Sequence, residues 1–191
     1  YANSVLLGDD GPDGWGIRYA REFDMTNDSK LFNPRDKAEA AGYRPDEYGR
    51  WVGKEGDVLL PLVQGILLGS LEFNRVAYID GRGLSARWEN LATGVNDVRP
   101  QFLMRAGDLA AKSSSGKPRI GFRPIARTTD RRTLIASVFP NWPAGNSVGI
   151  LDVRMPESVL PLAAAIASFA FDWQLRGRQS GSNVNWFLLA E

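Results

Sequence analysis

Glu157-Ser-Val-Leu-Pro-Leu-Ala-Ala-Ala-Ile-Ala-Ser-Phe-Ala-Phe-Asp-Trp-Gln-Leu-Arg176-Gly177 is the clearest single element in this chain of 191 residues. Its periodicity predicts a helix from about Ser158 to Arg176. Glu157 and Ser158 give it an acidic, capping start, and Pro161 falls in the first turn, where its missing N–H costs little. Gly177 ends it. Leu162, Ile166, Phe169 and Trp173 recur at three- and four-residue spacing and predict one buried stripe. The Ala163–Ala165 run lets the helix lie close on a sheet.

Working outward from this helix, the chain reads as turn-rich β structure punctuated by 20 Gly and 11 Pro. Short apolar or β-branched runs predict strands at Trp15–Ala20, Val58–Val63, Arg75–Ile79, Arg99–Met104, Arg119–Ile125, Thr133–Phe139 and Ser147–Leu151. Pro61 cannot donate to a ladder, so the Val58–Val63 strand is expected at a sheet edge. A brief helix is expected over Asp36–Ala41, ended by Gly42. Together these elements predict an α+β fold: a twisted, mostly antiparallel sheet carrying one long packed helix. Residues 1–56 are expected to form an N-terminal arm or linker and residues 57–191 the domain proper.

Composition removes many chemistries. With no Cys and no His, thiolate nucleophiles, Ser-His-Asp triads, His-dependent nuclease motifs and ordinary zinc or haem sites are excluded. No phosphate-binding glycine loop appears, and no Asn/Asp-Pro-Pro-aromatic tetrapeptide for amino-group methylation; Asn33-Pro34-Arg35 lacks the second proline and the aromatic. A metal-dependent nuclease remains possible on carboxylates and lysine alone, through Pro12-Asp13 and Asp28-Ser-Lys30. No apolar run reaches the roughly 18 residues of a membrane span, and no leader pattern opens the chain, so a cytoplasmic setting is expected. Both ends, at Tyr1 and at Trp186–Glu191, look cut.

The net charge of +1 hides an asymmetry: residues 1–60 carry 8 Lys+Arg against 12 Asp+Glu, and residues 101–191 carry 11 against 6. The excess is densest from Arg105 to Arg132, which suits a polyanion-facing surface. There, Lys117, Arg119, Arg123, Arg127, Arg131 and Arg132 are candidates for phosphates or guanine edges, with Thr128 and Thr129 adding short hydrogen bonds. The plainer account sends some of these arginines to solvent and ties others to Asp130 or to backbone. Arg176 and Arg178 sit at the positive-tolerant end of the helix. After it, Gln179, Ser182 and Asn183 lie in a Gly-containing polar loop, and Gln and Asn amides match adenine edges. A polar connection back to the sheet explains the same loop equally well.

Four blocks carry a family resemblance: Phe23-Asp-Met-Thr-Asn-Asp-Ser-Lys-Leu-Phe32, Leu60-Pro-Leu-Val-Gln-Gly65, Phe122-Arg-Pro-Ile-Ala-Arg-Thr-Thr-Asp-Arg-Arg-Thr-Leu-Ile-Ala136, and Ser168-Phe-Ala-Phe-Asp-Trp-Gln-Leu-Arg-Gly-Arg-Gln-Ser-Gly181 with Asn183-Val-Asn-Trp-Phe187. In this order they resemble the C-terminal part of large adenine-N6 DNA methyltransferases, the single-chain restriction-modification enzymes and phage-defence methylases. The resemblance implies a target-recognition domain that binds double-stranded DNA for a catalytic domain upstream in the same parent chain. That upstream domain would bind S-adenosylmethionine and carry the Asn-Pro-Pro-aromatic motif; no catalytic residue, metal or cofactor is then expected in the present segment. Leu62-Val-Gln-Gly-Ile66 and Glu72-Phe-Asn-Arg75 depart from the family pattern, which keeps a degenerate structural or protein-docking module as an alternative.

Overall fold

The computed structural model describes residues 7–9, 11, 14–92, 94, 97–112, 117–126 and 130–190. In chain order the elements are β1 (Ile17–Ala20), β2 (Asn33–Pro34), α1 (Arg35–Ala40), β3 (Arg44–Pro45), β4 (Trp51–Val52), β5 (Val58–Pro61), β6 (Val76–Asp80) and β7 (Arg87–Asn90). They continue with β8 (Phe102–Arg105), α2 (Ala106–Lys112), β9 (Arg119–Phe122), β10 (Ala136–Phe139), β11 (Gly149–Val153), α3 (Val159–Ile166), α4 (Phe169–Arg178) and α5 (Trp186–Ala190). The architecture is α+β and mostly antiparallel, as the sequence predicts. It is built on more than one sheet: a four-stranded sheet β1-β11-β9-β10, a five-stranded sheet β2-β8-β5-β4-β3, and a β6-β7 ribbon.

Strand alternation gives the four-stranded sheet two apolar faces. Leu151 and Val153 of β11 join Ile120, Phe122 and the buried face of α3, whereas Ile150, just before Leu151, joins Phe23, Leu60, Met104 and Phe139 on the other side. The sheet is thus sandwiched between helices and the second sheet. The β9 and β11 backbones come close to these side chains. A Cβ on Gly121 would lie 2.6 Å from the Phe139 ring, and one on Gly149 would lie 2.6 Å from the Phe122 ring. Only glycine leaves room for both aromatics.

The long helix is two helices. α3 and α4 are bent by 67° about Ala167 and Ser168. Ser168 is extended (φ −66, ψ 154) and its hydroxyl accepts from the Phe171 N–H, so a residue read as mid-helix is in fact an N-cap. The Arg132 guanidinium donates to the carbonyls of Ala167 and Ser168, satisfying the end of α3. The break re-phases the apolar stripe. Leu162 and Ile166 stay in the core, but Phe169 is 82% and Trp173 77% exposed, and the buried residues of α4 are Asp172 and Leu175.

Two further expectations are corrected. β5 lies between β8 and β4, not at an edge; Pro61 is its last residue, and the ladder resumes where the Leu62 N–H donates to the Phe102 carbonyl. Nor do the described residues from 17 to 56 stand apart as an arm. β1 pairs with β11, Phe23 and Trp51 are buried, and a boundary at 56 would fall inside the β4–β5 hairpin, where Trp51 faces Leu59. Among the described residues no single helix is long and apolar enough to cross a membrane.

Candidate nucleic-acid interface

The chain leaves β9 at Phe122 and leaves α4 at Arg178, and the two departing segments pair. The Ala126 N–H donates to the Ser182 carbonyl (2.9 Å), and the Val184 N–H donates to the Pro124 carbonyl (2.7 Å). Ile125 and Asn183 face each other as an antiparallel bridge. The Gln179 side-chain amide donates to the Ala126 carbonyl (3.0 Å), and buried Val184 anchors the ladder from below. Period-two alternation then turns Asn183 outward, beside Ile125 at 69% exposure. Two polar segments expected independently to meet a ligand are therefore one surface.

The candidate residues differ widely in exposure. Arg131, Arg178, Ser182 and Asn183 are exposed. Arg127, Thr128 and Thr129 lie outside the described residues. Arg119 is not available to a ligand: it is 4% exposed, ion-paired with Glu22 through two nitrogens, and donates to the Trp142 carbonyl. Arg123 donates to the carbonyls of Gly65, Ile66 and Leu68 and so holds the 3-10 turn Gly65–Leu67. Burial, and then the nearby Arg75, hold its pKa below the ordinary arginine value, against the pull of Asp130.

Arg132 caps α3 and its guanidinium lies 4.2 Å from the centre of the Phe169 ring. Arg176 donates to the Thr133 hydroxyl and the Asp130 carbonyl and pairs with Asp172. Arg119 and Gln179 are buried and do not face solvent, whereas Arg123, Arg132 and Arg176 are half-buried and already engaged with main chain or with Asp172. For Arg123 and Arg132 the physical reason is that connections that turn sharply leave carbonyls without partners, and a guanidinium satisfies several at once. Lys117 lies before β9 whereas the ladder follows it, so some 20 Å of strand separates them. Its ammonium donates to the Arg154 carbonyl, in a groove shared with Arg18 and Trp186.

Sequence reasoning missed the rest of the loop cluster. A depression of about 460 Å³ beside the ladder is lined by Arg21, Ile66, Ile125, Asn146 and Asn183 among others. Arg21 follows β1, Ile66 lies in the 3-10 turn and Asn146 precedes β11. Antiparallel pairing of β1, β9 and β11 brings these connections to one end of the sheet, a placement no local pattern encodes. Asn146 donates to Asp24, whose pKa is lowered mainly by the Asn27 and Thr26 N–H groups.

Among the described residues the carboxylates are engaged singly rather than in a cluster. Asp28 accepts from the Asp24 N–H and pairs with Lys112, which hold its pKa low against partial burial. Asp13 lies outside the described residues. Among the described residues no group of three or more Asp or Glu is placed to hold a metal ion. Every strand pair within the sheets is antiparallel. No protein-family model, curated protein or solved structure matches the chain.

Proposed function

We propose that this chain is the DNA-binding target-recognition portion of a site-specific adenine-N6 DNA methyltransferase of the restriction-modification type. The reading is carried by the Pro124–Ala126/Ser182–Val184 ladder, which joins two polar loops and leaves an amide, a hydroxyl and two arginines facing solvent. Arg131 and Arg178 supply sequence-independent attraction to phosphates and fix the register of the duplex. Asn183 is the direct reader, because its amide matches the N6 and N7 positions of adenine in the major groove. Ile125 beside it suits a thymine methyl.

The chemistry belongs to a catalytic domain in the same parent chain. S-adenosylmethionine supplies the methyl group there, and no residue of this segment is assigned to it. The duplex would be held here while the target base is extruded toward that domain. A cytoplasmic setting goes with this reading.

Enrichment of a randomised duplex pool by the 191-residue chain tests it. The wild type should enrich a short motif containing an A·T pair, and Asn183→Ala should relax one position of that motif by about 1–3 kcal/mol. A pool that emerges unenriched from the wild type would refute the reading.

A further inference from the structure

The outward face of α4 carries an aromatic side chain that nothing in the fold explains. Phe169 and Trp173 sit four residues apart on one face and are 82% and 77% exposed. The Phe169 ring already has Arg132 over it. No described ring or cation covers the Trp173 indole. One turn further on, a Cβ at Gly177 would meet nothing within 4 Å, so the surface next to the indole is open. The resulting depression, about 570 Å³, is lined by Trp173, Gln174, Arg176, Gly177 and Arg178.

Charge identifies the occupant. The acid of α4, Asp172, is buried; its carboxylate accepts from the Thr133 and Leu134 N–H groups and pairs with Arg176. The depression is therefore lined by an indole and by exposed Arg178, without an exposed carboxylate of the same helix. A flat π-system attached to a negative charge fits this pair, and a nucleotide is that combination. Bases in a duplex have no free face to offer, whereas an unpaired base does. An apolar protein partner would want a continuous greasy surface, and here glycine and arginine follow the aromatic.

We propose that Trp173 and Arg178 form a stacking site for an unpaired nucleotide, the indole meeting the base and the guanidinium its phosphate. The site is next to the proposed duplex-reading ladder: α4 runs from Trp173 directly to Gln179, some 9 Å along the helix axis. A base leaving the stack of a duplex seated on the ladder, or the strand opposite it, comes within reach. That placement rests on the ladder being a duplex surface; the stacking chemistry does not.

The test uses fluorescence anisotropy of three labelled probes of about twelve nucleotides: oligothymidylate, an abasic backbone of equal length and a duplex. The wild-type chain should bind oligothymidylate roughly tenfold more tightly than the abasic backbone. Trp173→Ala should remove that difference, Trp173→Phe should restore most of it, and duplex affinity should stay unchanged in both. Equal affinity for the oligothymidylate and abasic probes would overturn the proposal, as would a Trp173→Ala variant that binds all three probes like the wild type. Self-association of the wild type abolished by Trp173→Ala, with nucleic-acid binding unaltered, would make the face a protein-docking surface and overturn it too. Failure of duplex binding alone, with Trp173-dependent binding of oligothymidylate intact, would count against the ladder and in favour of the stacking site.

Discussion

Arg119 and Glu22, 97 residues apart in the chain, form an ion pair in which neither side chain is more than 6% exposed. Glu22 also accepts from the Ala144 N–H, and Arg119 donates to the Trp142 carbonyl, so one pair ties β9, the turn after β1 and the 142–144 segment together. A buried pair of this kind is costly to break because removing one partner strands the other charge. Arg119→Ala is expected to cost about 3–5 kcal/mol in urea unfolding. Replacing both partners, as Arg119→Met with Glu22→Leu, should cost less than either single change. A double variant that loses the sum of the two single losses would show that the pair is not coupled.

Ser168 makes the bend between α3 and α4. Ser168→Ala removes the acceptor for the Phe171 N–H and should destabilise the fold by about 1 kcal/mol. Ser168→Asn, which can cap equally well, should recover most of it. The urea midpoint of the three proteins checks this, and an alanine variant as stable as the wild type would mean that packing alone holds the bend.

Acid should loosen the turn after Phe23. The pKa of Asp24 is lowered from 3.8, chiefly by the Asn27 and Thr26 N–H groups, so the folded state favours its ionised form. A depressed folded-state pKa contributes stability above the unfolded value, and that contribution is lost as pH falls through the lowered value. Asp24→Asn should therefore weaken the protein at neutral pH and flatten its loss of stability below pH 3.8. Unfolding curves taken across that range check the sign; parallel pH profiles for the two proteins would contradict it.

Much of the fold was legible because its signals are local. β-branched runs bounded by turn residues located β9, β10 and β11, each to within a few residues, and the antiparallel α+β class followed from them. Pro61 misled because a proline that ends a strand needs no ladder donor beyond itself. The bend misled because Ser168 reads the same in a helix interior as at a cap until the partner of Phe171 is known. The stripe through Phe169 and Trp173 obeyed helical spacing, but spacing holds only within one unbroken helix.

The interface was legible in its two loops and opaque in its arginines. Composition placed positive charge between Arg105 and Arg132, yet Arg119, Arg123 and Arg132 spend theirs on Glu22 or on main-chain carbonyls. Sequence contains no sign of that, because the carbonyls in need of a donor are set by tertiary turns. Asn183 and Ile125 came together through pairing across 58 residues of chain, and Arg21 and Asn146 through sheet order.

The central claim, that this surface holds duplex DNA, is tested most directly by the salt dependence of duplex binding by the 191-residue chain. The affinity of the wild type should fall linearly on a log–log plot as salt rises, and Arg131→Ala and Arg178→Ala should each reduce the slope by about one. Binding whose affinity ignores salt, or slopes unchanged in both variants, would contradict it.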